Sequence, residues 1–248
     1  MQNLKNFRLD IEYDGTKYHG WQRQLNDITI QSVIEDAVFK ILNEKVSLIG
    51  SGRTDAGVHA LNQVANFLCK THLSSDIILN ALNSLLPVDI AILSCEEVDI
   101  NFHSRYNAKT KIYNYYILNQ KIKSALNYRY CWQIKRPLDI NTMEDILPLI
   151  IGTYDFKSFE ASGSPKHHTI RTIFNADFKI QENNYIIFEI EANGFLRYMV
   201  RNLVGTIVDV GLKKISVNDF KIILDSKDRN KAGITAPPQG LFLKKVNY

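Results

Sequence analysis

Three glycines fall within the octapeptide Gly50-Ser51-Gly52-Arg53-Thr54-Asp55-Ala56-Gly57, directly after the apolar run Val46 to Ile49. Glycine carries no Cβ and reaches positive φ readily, so this stretch can turn sharply where the run ends. Arg53 stands two positions from Asp55, and residues so spaced share one face of an extended segment. Such a loop presents a carboxylate beside a cation instead of burying it. Asp55-Ala56-Gly57 is also a plain turn signal, and a purely structural turn is the alternative reading. Gly50-x-Gly52 after a strand imitates the start of a dinucleotide-binding fingerprint. Asp55, however, stands where the third glycine belongs and would set negative charge against a pyrophosphate. No Gly-Lys-Ser/Thr follows, which excludes a Walker-type phosphate loop.

A chain of 248 residues can bury a sizeable core as one large domain or two small ones packed together. Hydrophobic residues at 45% and charged residues at 23% exclude a disordered chain, and apolar runs such as Leu149 to Ile151 are far too short to span a bilayer. The start, Met1 to Phe7, lacks the apolar block of a secretory signal. Cys69, Cys95 and Cys131 make neither a disulfide framework nor a Cys-x-x-Cys site, so the expected compartment is the reducing cytoplasm.

The net charge of +4 is unevenly spread. No Asp or Glu occurs between Ile100 and Leu138, where Arg105, Lys109, Lys111, Lys121, Lys123, Arg129, Lys135 and Arg136 supply eight positive charges. Phe102, Tyr106, Tyr113, Tyr115, Tyr116, Tyr128, Tyr130 and Trp132 lie in the same stretch, interleaving base-stacking rings with phosphate-binding cations. This combination reads as a nucleic-acid surface. The alternative is a solvated strand face with core aromatics behind it.

Hydrophobic spacing predicts a strand over Phe7 to Tyr13, where Phe7, Leu9, Ile11 and Tyr13 alternate with polar residues. A helix from Ile30 is capped by Thr29, and a short strand over Val46 to Ile49 leads into the glycine loop. Strands over Gln63 to Cys69 and Ile90 to Val98 bracket a helix over Asp76 to Leu86, capped by Ser74 or Ser75 and stopped at Pro87. In the second half, Tyr113 to Leu118 is strand-like, and Asn141 with Glu144 forms a capping-box start for a helix ending near Gly152. Strands over Ile170 to Ile180 and Tyr185 to Ala192 flank Glu182-Asn183-Asn184. A long helix over Leu196 to Leu212, another from Val217, and a strand over Leu241 to Val246 complete the reading. Strands and helices mix without strict alternation, so the fold class is α+β with a largely antiparallel sheet. Two similar halves are expected, 1–105 with the Asp55 loop and 106–248, joined near residues 100 to 110.

The histidines His19, His59, His72, His103, His167 and His168 form no His-x-x-x-His pair, and no zinc-like spacing is present. His167 and His168 sit in a Ser/Gly/Pro loop, where a solvated or RNA-contacting role is expected. There is no Gly-x-Ser-x-Gly elbow for a serine hydrolase. What remains is one exposed aspartate near arginines, and a carboxylate can act as a nucleophile without a cofactor when it is ionised and aligned. Arg201, with Arg197 one helical turn earlier, is the candidate cation to hold that state; the alternative is a pair of surface arginines on an amphipathic helix.

Gly52-Arg53-Thr54-Asp55-Ala56-Gly57-Val58-His59 resembles the active-site motif of the TruA-type tRNA pseudouridine synthases. The resemblance extends through Glu12-Tyr13-Asp14-Gly15, Gly20-Trp21-Gln22-Arg23-Gln24, Phe102-His103-Ser104-Arg105-Tyr106, Asp155-Phe156 with Ser158-Phe159, Met199-Val200-Arg201-Asn202, Asp228-Arg229 and Gly240-Leu241. It implies the pseudouridine synthase fold: two similar halves whose mainly antiparallel sheets form a continuous sheet flanked by helices, with the active site in the central cleft. It implies isomerisation of uridine to pseudouridine at positions 38, 39 and 40 of the tRNA anticodon stem-loop, by a homodimer and with no cofactor or metal.

By the same resemblance Asp55 is the catalytic nucleophile and Arg201 its ion-pair partner. Arg53 holds the flipped base out of its helix, Tyr113 stacks on the base, and Leu241 walls the pocket. Lys17, Arg23, His103, Arg105, Lys109, Lys111 and Arg197 are assigned to the RNA footprint. The attack on ribose C1′, on uracil C6, or by way of a glycal stays open. Rival readings are a non-catalytic tRNA-binding chaperone and an RNA N-glycosidase that releases free uracil.

Overall fold

A computed structural model describes residues 3–161, 163 and 168–248 of the chain. Along it run β1 (Leu4–Tyr13), α1 (Ile30–Leu42), β2 (Ile49–Gly50), β3 (His59–Lys70), α2 (Ser75–Leu85) and β4 (Ile90–Val98). Then follow β5 (Thr110–Asn119), β6 (Trp132–Ile134), α3 (Ile140–Glu144), α4 (Leu147–Ile150), β7 (Gly152–Asp155) and β8 (Ile170–Gln181). The chain ends with β9 (Tyr185–Ala192), α5 (Met199–Gly211), α6 (Val217–Ser226) and β10 (Leu241–Asn247). Met1–Lys109 with Phe242–Tyr248 make one compact unit, and Thr110–Leu241 make a second.

In the first unit the strand order is β4-β1-β3-β10. β1 pairs antiparallel with β3 and with β4, β2 pairs antiparallel with β3, and β10 runs parallel to β3. The alternation in β1 does what its period dictates: Phe7, Leu9, Ile11 and Tyr13 are buried, while Arg8 and Asp10 pair on the opposite face at 3.0 Å. α1 starts at Thr29, whose hydroxyl oxygen accepts from Ser32 N in a reciprocal capping box, and ends at Asn43 in the left-handed region. α2 packs on β4 and against α1.

The strand expected over Val46 to Ile49 is confined to Ile49–Gly50. The reason lies in α1: the buried Glu35 carboxylate accepts from Leu48 N at 2.9 Å, and Gln31 donates to Leu48 O at 3.1 Å. Side chains thereby take the backbone groups that a ladder would have used.

In the second unit the order is β5-β9-β8-β7, all antiparallel, with β6 parallel to β5. The helix expected to be capped by Asn141 starts two residues earlier, under Asp139, which accepts from Thr142 N at 3.2 Å. It breaks into α3 and α4 because Pro148 in the first turn of α4 has no N–H to continue the ladder. The helix expected over Leu196 to Leu212 begins only at Met199, since Tyr198 takes φ 64° and turns the chain into α5. β6 and β7 are too short to leave a periodic signal. Phe156, Phe159 and Phe220 of α6 form a buried aromatic cluster, with the last two rings stacked 5.7 Å apart. His167 lies outside the described residues; His168 is exposed.

The three cysteines are free and buried. Burial pushes the Cys69 thiol up to about 11 and the Cys95 thiol up to about 12, and raises Cys131 as well. At pH 8 a thiol of pKa near 11 is roughly one thousandth thiolate, the form that reacts. Native protein at pH 8 should therefore react with iodoacetamide at least ~100-fold more slowly than protein unfolded in guanidinium. Fast stoichiometric labelling of the native chain, read by intact mass, would contradict the placement of these residues in the core.

Candidate active site

The Asp55 loop is held by backbone and side-chain hydrogen bonds within the first unit. Ser51 is fully buried: its N donates to Val64 O at 2.7 Å and its Oγ to Gln63 Oε1 at 2.6 Å. Gln63 returns a bond from Nε2 to Gly52 O at 3.0 Å. Thr54, also buried, accepts Trp21 N on its carbonyl at 3.1 Å, and its hydroxyl meets the Tyr13 hydroxyl at 2.7 Å. Burial raises the Tyr13 pKa, so that phenol stays neutral in the bond. Asp55 O accepts Val58 N at 3.1 Å, closing a turn through Gly57 at φ 76°, and Gly57 N donates to Tyr18 O at 3.3 Å.

The strand-to-helix connection after β1 is therefore zipped onto the loop, with no room between them. Gly20 holds φ 87°, and a Cβ there would lie 2.5 Å from Thr54 O and 3.0 Å from Asp55 C. Gly50 is equally constrained, because a Cβ would sit 2.5 Å from Trp21 Nε1. Asp55 is half-buried between buried Thr54 and exposed Ala56. Arg53 is exposed and donates from Nε to Gln22 Oε1 at 3.1 Å. Gln22 in turn donates to Gln31 Oε1 at 2.9 Å, and Gln31 to Glu35 at 2.9 Å. Arg23 closes this relay on the buried Glu35 carboxylate at 2.7 Å, so its guanidinium is committed to neutralising Glu35. Lys17 is exposed, 3.7 Å from Asp89.

The motif after β4 is organised around Ser104. This buried residue donates from N to Asn66 Oδ1 at 2.9 Å and from Oγ to Ile49 O, and accepts the Tyr248 hydroxyl on its carbonyl at 2.7 Å. Its neighbours form a small stacking cluster at the surface. The His103 ring lies 4.2 Å from that of Tyr106, which is 76% exposed, and the Arg105 guanidinium lies 5.8 Å from the same ring. Exposed Lys109 donates its N to Asn247 O at 2.8 Å.

In the second unit Tyr113 lies on β5, register-paired with Ile190 of β9, and its ring meets Phe195 edge-on at 5.1 Å. Lys111 lies two residues earlier, on the same face of the strand. Arg197 and Arg201 flank the Tyr198 ring at 5.0 and 4.8 Å. Arg201 Nε donates to Ala236 O at 2.7 Å, and Ala236 N donates to Arg201 O at 3.1 Å. One cation–π contact with Tyr198 and one planar N–H bond to Ala236 O fix the Arg201 guanidinium plane far better than a flexible stem could. Leu241 is buried after the turn Pro238–Gly240, where Gly240 gives way to the Tyr115 ring. A cavity of about 440 Å³ is lined by Ala161, Arg197, Tyr198, Arg229, Asn230, Ala232 and Thr235.

Asp55, Arg53, Lys17, Arg23, His103, Arg105 and Lys109 thus belong to the first unit, and Tyr113, Lys111, Arg197, Arg201 and Leu241 to the second. Sequence reasoning assigned no role to Gln22, Gln63, Tyr198 or Arg229. Gln63 leaves a faint trace as a polar residue entering an apolar strand. Asn202 and Thr206, four residues apart in an otherwise apolar helix, mark an inward polar face.

A family model described as tRNA pseudouridine synthase matches residues 11–107 and 147–248. The chain belongs to that family. The protein named tRNA pseudouridine synthase A from Thermoanaerobacter sp. (strain X514) is 51% identical over 246 residues, covering 99% of this chain and 100% of the relative. Its counterpart of the same name from Caldicellulosiruptor saccharolyticus is 47% identical over 245 residues, with 99% and 100% covered. A Clostridium tetani protein named tRNA pseudouridine synthase A 2 is 46% identical over 246 residues, with 98% and 99% covered. The family membership agrees with the resemblance carried by the Asp55 motif and with an α+β architecture of mainly antiparallel sheet and flanking helices.

Gly20→Ala should cost about 2 to 4 kcal/mol, from positive φ and displacement of the Asp55 turn together. Tyr13→Phe, which strands a buried Thr54 hydroxyl, should cost about 1 to 2 kcal/mol. Urea unfolding monitored by tryptophan fluorescence measures both. Wild-type stability in Gly20→Ala would show that the loop is not braced as described.

Proposed function

We propose that the chain isomerises uridine to pseudouridine in tRNA, at positions 38, 39 and 40 of the anticodon stem-loop, with Asp55 as the nucleophile. The observation that carries this reading is the braced loop: a half-buried aspartate beside Thr54, which is held by the Trp21 backbone N–H and the Tyr13 hydroxyl, in a chain of the tRNA pseudouridine synthase family. The reaction breaks the bond from ribose C1′ to N1 and forms one from C1′ to C5. The hydrogen on C5 leaves as a proton, and N1 gains one. No electron acceptor is needed, which fits a carboxylate working without a cofactor.

A stacked uridine cannot be turned over in place, so it is flipped out at a cost of a few kcal/mol. Tyr113 stacks on the detached base and offsets about 1 to 3 kcal/mol of that. Arg53 holds the extruded nucleotide, and its tether to Gln22 supports that role by limiting its reach. Arg201 pairs with Asp55 to keep it ionised and oriented, and Leu241 walls the pocket. His103, Arg105, Lys109, Lys111, Arg197 and Lys17 contact RNA phosphate and base faces, with Arg105 and His103 stacked about Tyr106 as the supporting geometry. The Glu35 pair gives Arg23 a bracing duty beside any phosphate contact. The working form is a homodimer in the cytoplasm, a compartment in keeping with three free thiols.

Wild-type protein should release tritium from tRNA carrying 5-tritiated uridine, while Asp55→Asn should bind that tRNA normally and release none. Full release by Asp55→Asn, or free uracil as the product, would contradict the isomerase reading. Affinity for tRNA should fall steeply between 50 and 200 mM salt, by about a hundredfold or more if several phosphates are neutralised. A flat salt profile in filter binding would contradict the assigned basic surface.

A further inference from the structure

Arg229 sits in a short turn at Arg229–Lys231, outside every role assigned so far. Its Nη1 donates to Ala232 O at 3.2 Å and Gly233 O at 2.9 Å. Its Nη2 donates to Asn202 Oδ1 and to Thr235 Oγ1, both at 3.1 Å. Four of its five N–H groups thus find protein acceptors, so both terminal nitrogens of this arginine on the cavity wall serve the protein's own carbonyl and side-chain oxygens.

What it clamps is the strap of residues 232–236 along α5. Asn202 is fully buried, accepts a second bond from Thr235 Oγ1 at 2.7 Å, and donates to Phe159 O at 2.8 Å. Gly233 N donates to Thr206 Oγ1 at 3.0 Å. The contact is close enough that a Cβ on Gly205 would lie 1.7 Å from Ile234 O. The strap ends at Ala236, whose carbonyl takes Arg201 Nε and whose N–H returns to Arg201 O. A chain of bonds therefore leads from the Arg229 fork through Asn202 and Thr235 to the group that sets the plane of Arg201.

We propose that Arg229 is a positioning residue for the isomerase reaction, acting through the strap to orient Arg201. This rests on the function proposed above. Lysine keeps the charge but offers one ammonium where four directed bonds are needed, so Ala236 O drifts and the Arg201 guanidinium turns with it. Displacements near 1 Å at a reacting group cost about a hundredfold in rate.

The test is steady-state tritium release by the full chain, with tRNA affinity and thermal melting measured alongside. Arg229→Lys should lose about 100-fold in kcat with KM changed less than about threefold and tRNA binding retained. In an Arg201→Lys background, where the Nε bond to Ala236 is already gone, Arg229→Lys should add less than about threefold. If Arg229→Lys does not fold, Thr235→Val decides: about fivefold in kcat alone, and no further loss over Arg201→Lys. Wild-type kcat in both single variants, or losses that multiply undiminished in the Arg201→Lys background, would overturn the inference while leaving the isomerase active. Absence of tritium release by wild-type protein would overturn the isomerase reading itself, a separate result.

Discussion

A side chain that must meet one atom of a substrate is aimed first by its backbone, and here the backbone around Asp55 is held by a contact that admits no side chain at all. Gly20 lies against Thr54 O and the Asp55 carbonyl carbon, and the Trp21 N to Thr54 O bond fastens the two segments together. Three elements of the first unit add to that contact. β1 delivers Tyr13 to the Thr54 hydroxyl, α1 supplies the Gln31 and Glu35 relay that reaches Arg53 through Gln22, and β3 supplies Gln63 under Ser51 and Gly52. Buried polar networks of this kind are costly unless complete, and completeness is what makes them specify a single geometry.

The second unit solves a similar problem with a helix. α5 carries Arg201 at its start, and an arginine there has a long stem and many rotamers. Tyr198 at positive φ brings its ring under the guanidinium, and the strap from Arg229 to Ala236 supplies the acceptor for Nε. Motifs far apart in the chain, Ser158-Phe159, Met199 to Asn202 and Asp228-Arg229, are neighbours because they brace one another: Ser158 Oγ donates to Ile223 O at 2.6 Å, and Asn202 joins Phe159 to Arg229.

Much of this could be read in the sequence, for physical reasons that differ by element. β1 and α1 were legible because one face of each meets the core and the period follows. The Asp55 loop was legible because positive φ and close approach demand glycine: Gly57 holds φ 76°, and a Cβ on Gly50 would meet the Trp21 ring at 2.5 Å. Failures came where a single side chain overrode local pattern. Glu35 took the backbone of Leu48 from a strand, Pro148 split a helix, and Tyr198 delayed the start of α5. Arg229 stayed without a role because nothing in the spacing of charges distinguishes an arginine that serves carbonyls from one that serves phosphates. Its four acceptors come from segments near and far, and only folding collects them.

A chain of this family with so braced an aspartate rewrites uridine in tRNA. Position-resolved pseudouridine mapping of tRNA from cells with and without the protein tests it most directly. Cells lacking the protein should lose pseudouridine in the anticodon stem-loop at positions 38, 39 and 40, restored by the wild-type chain and not by Asp55→Asn. An unchanged pseudouridine map in cells lacking the protein would contradict it.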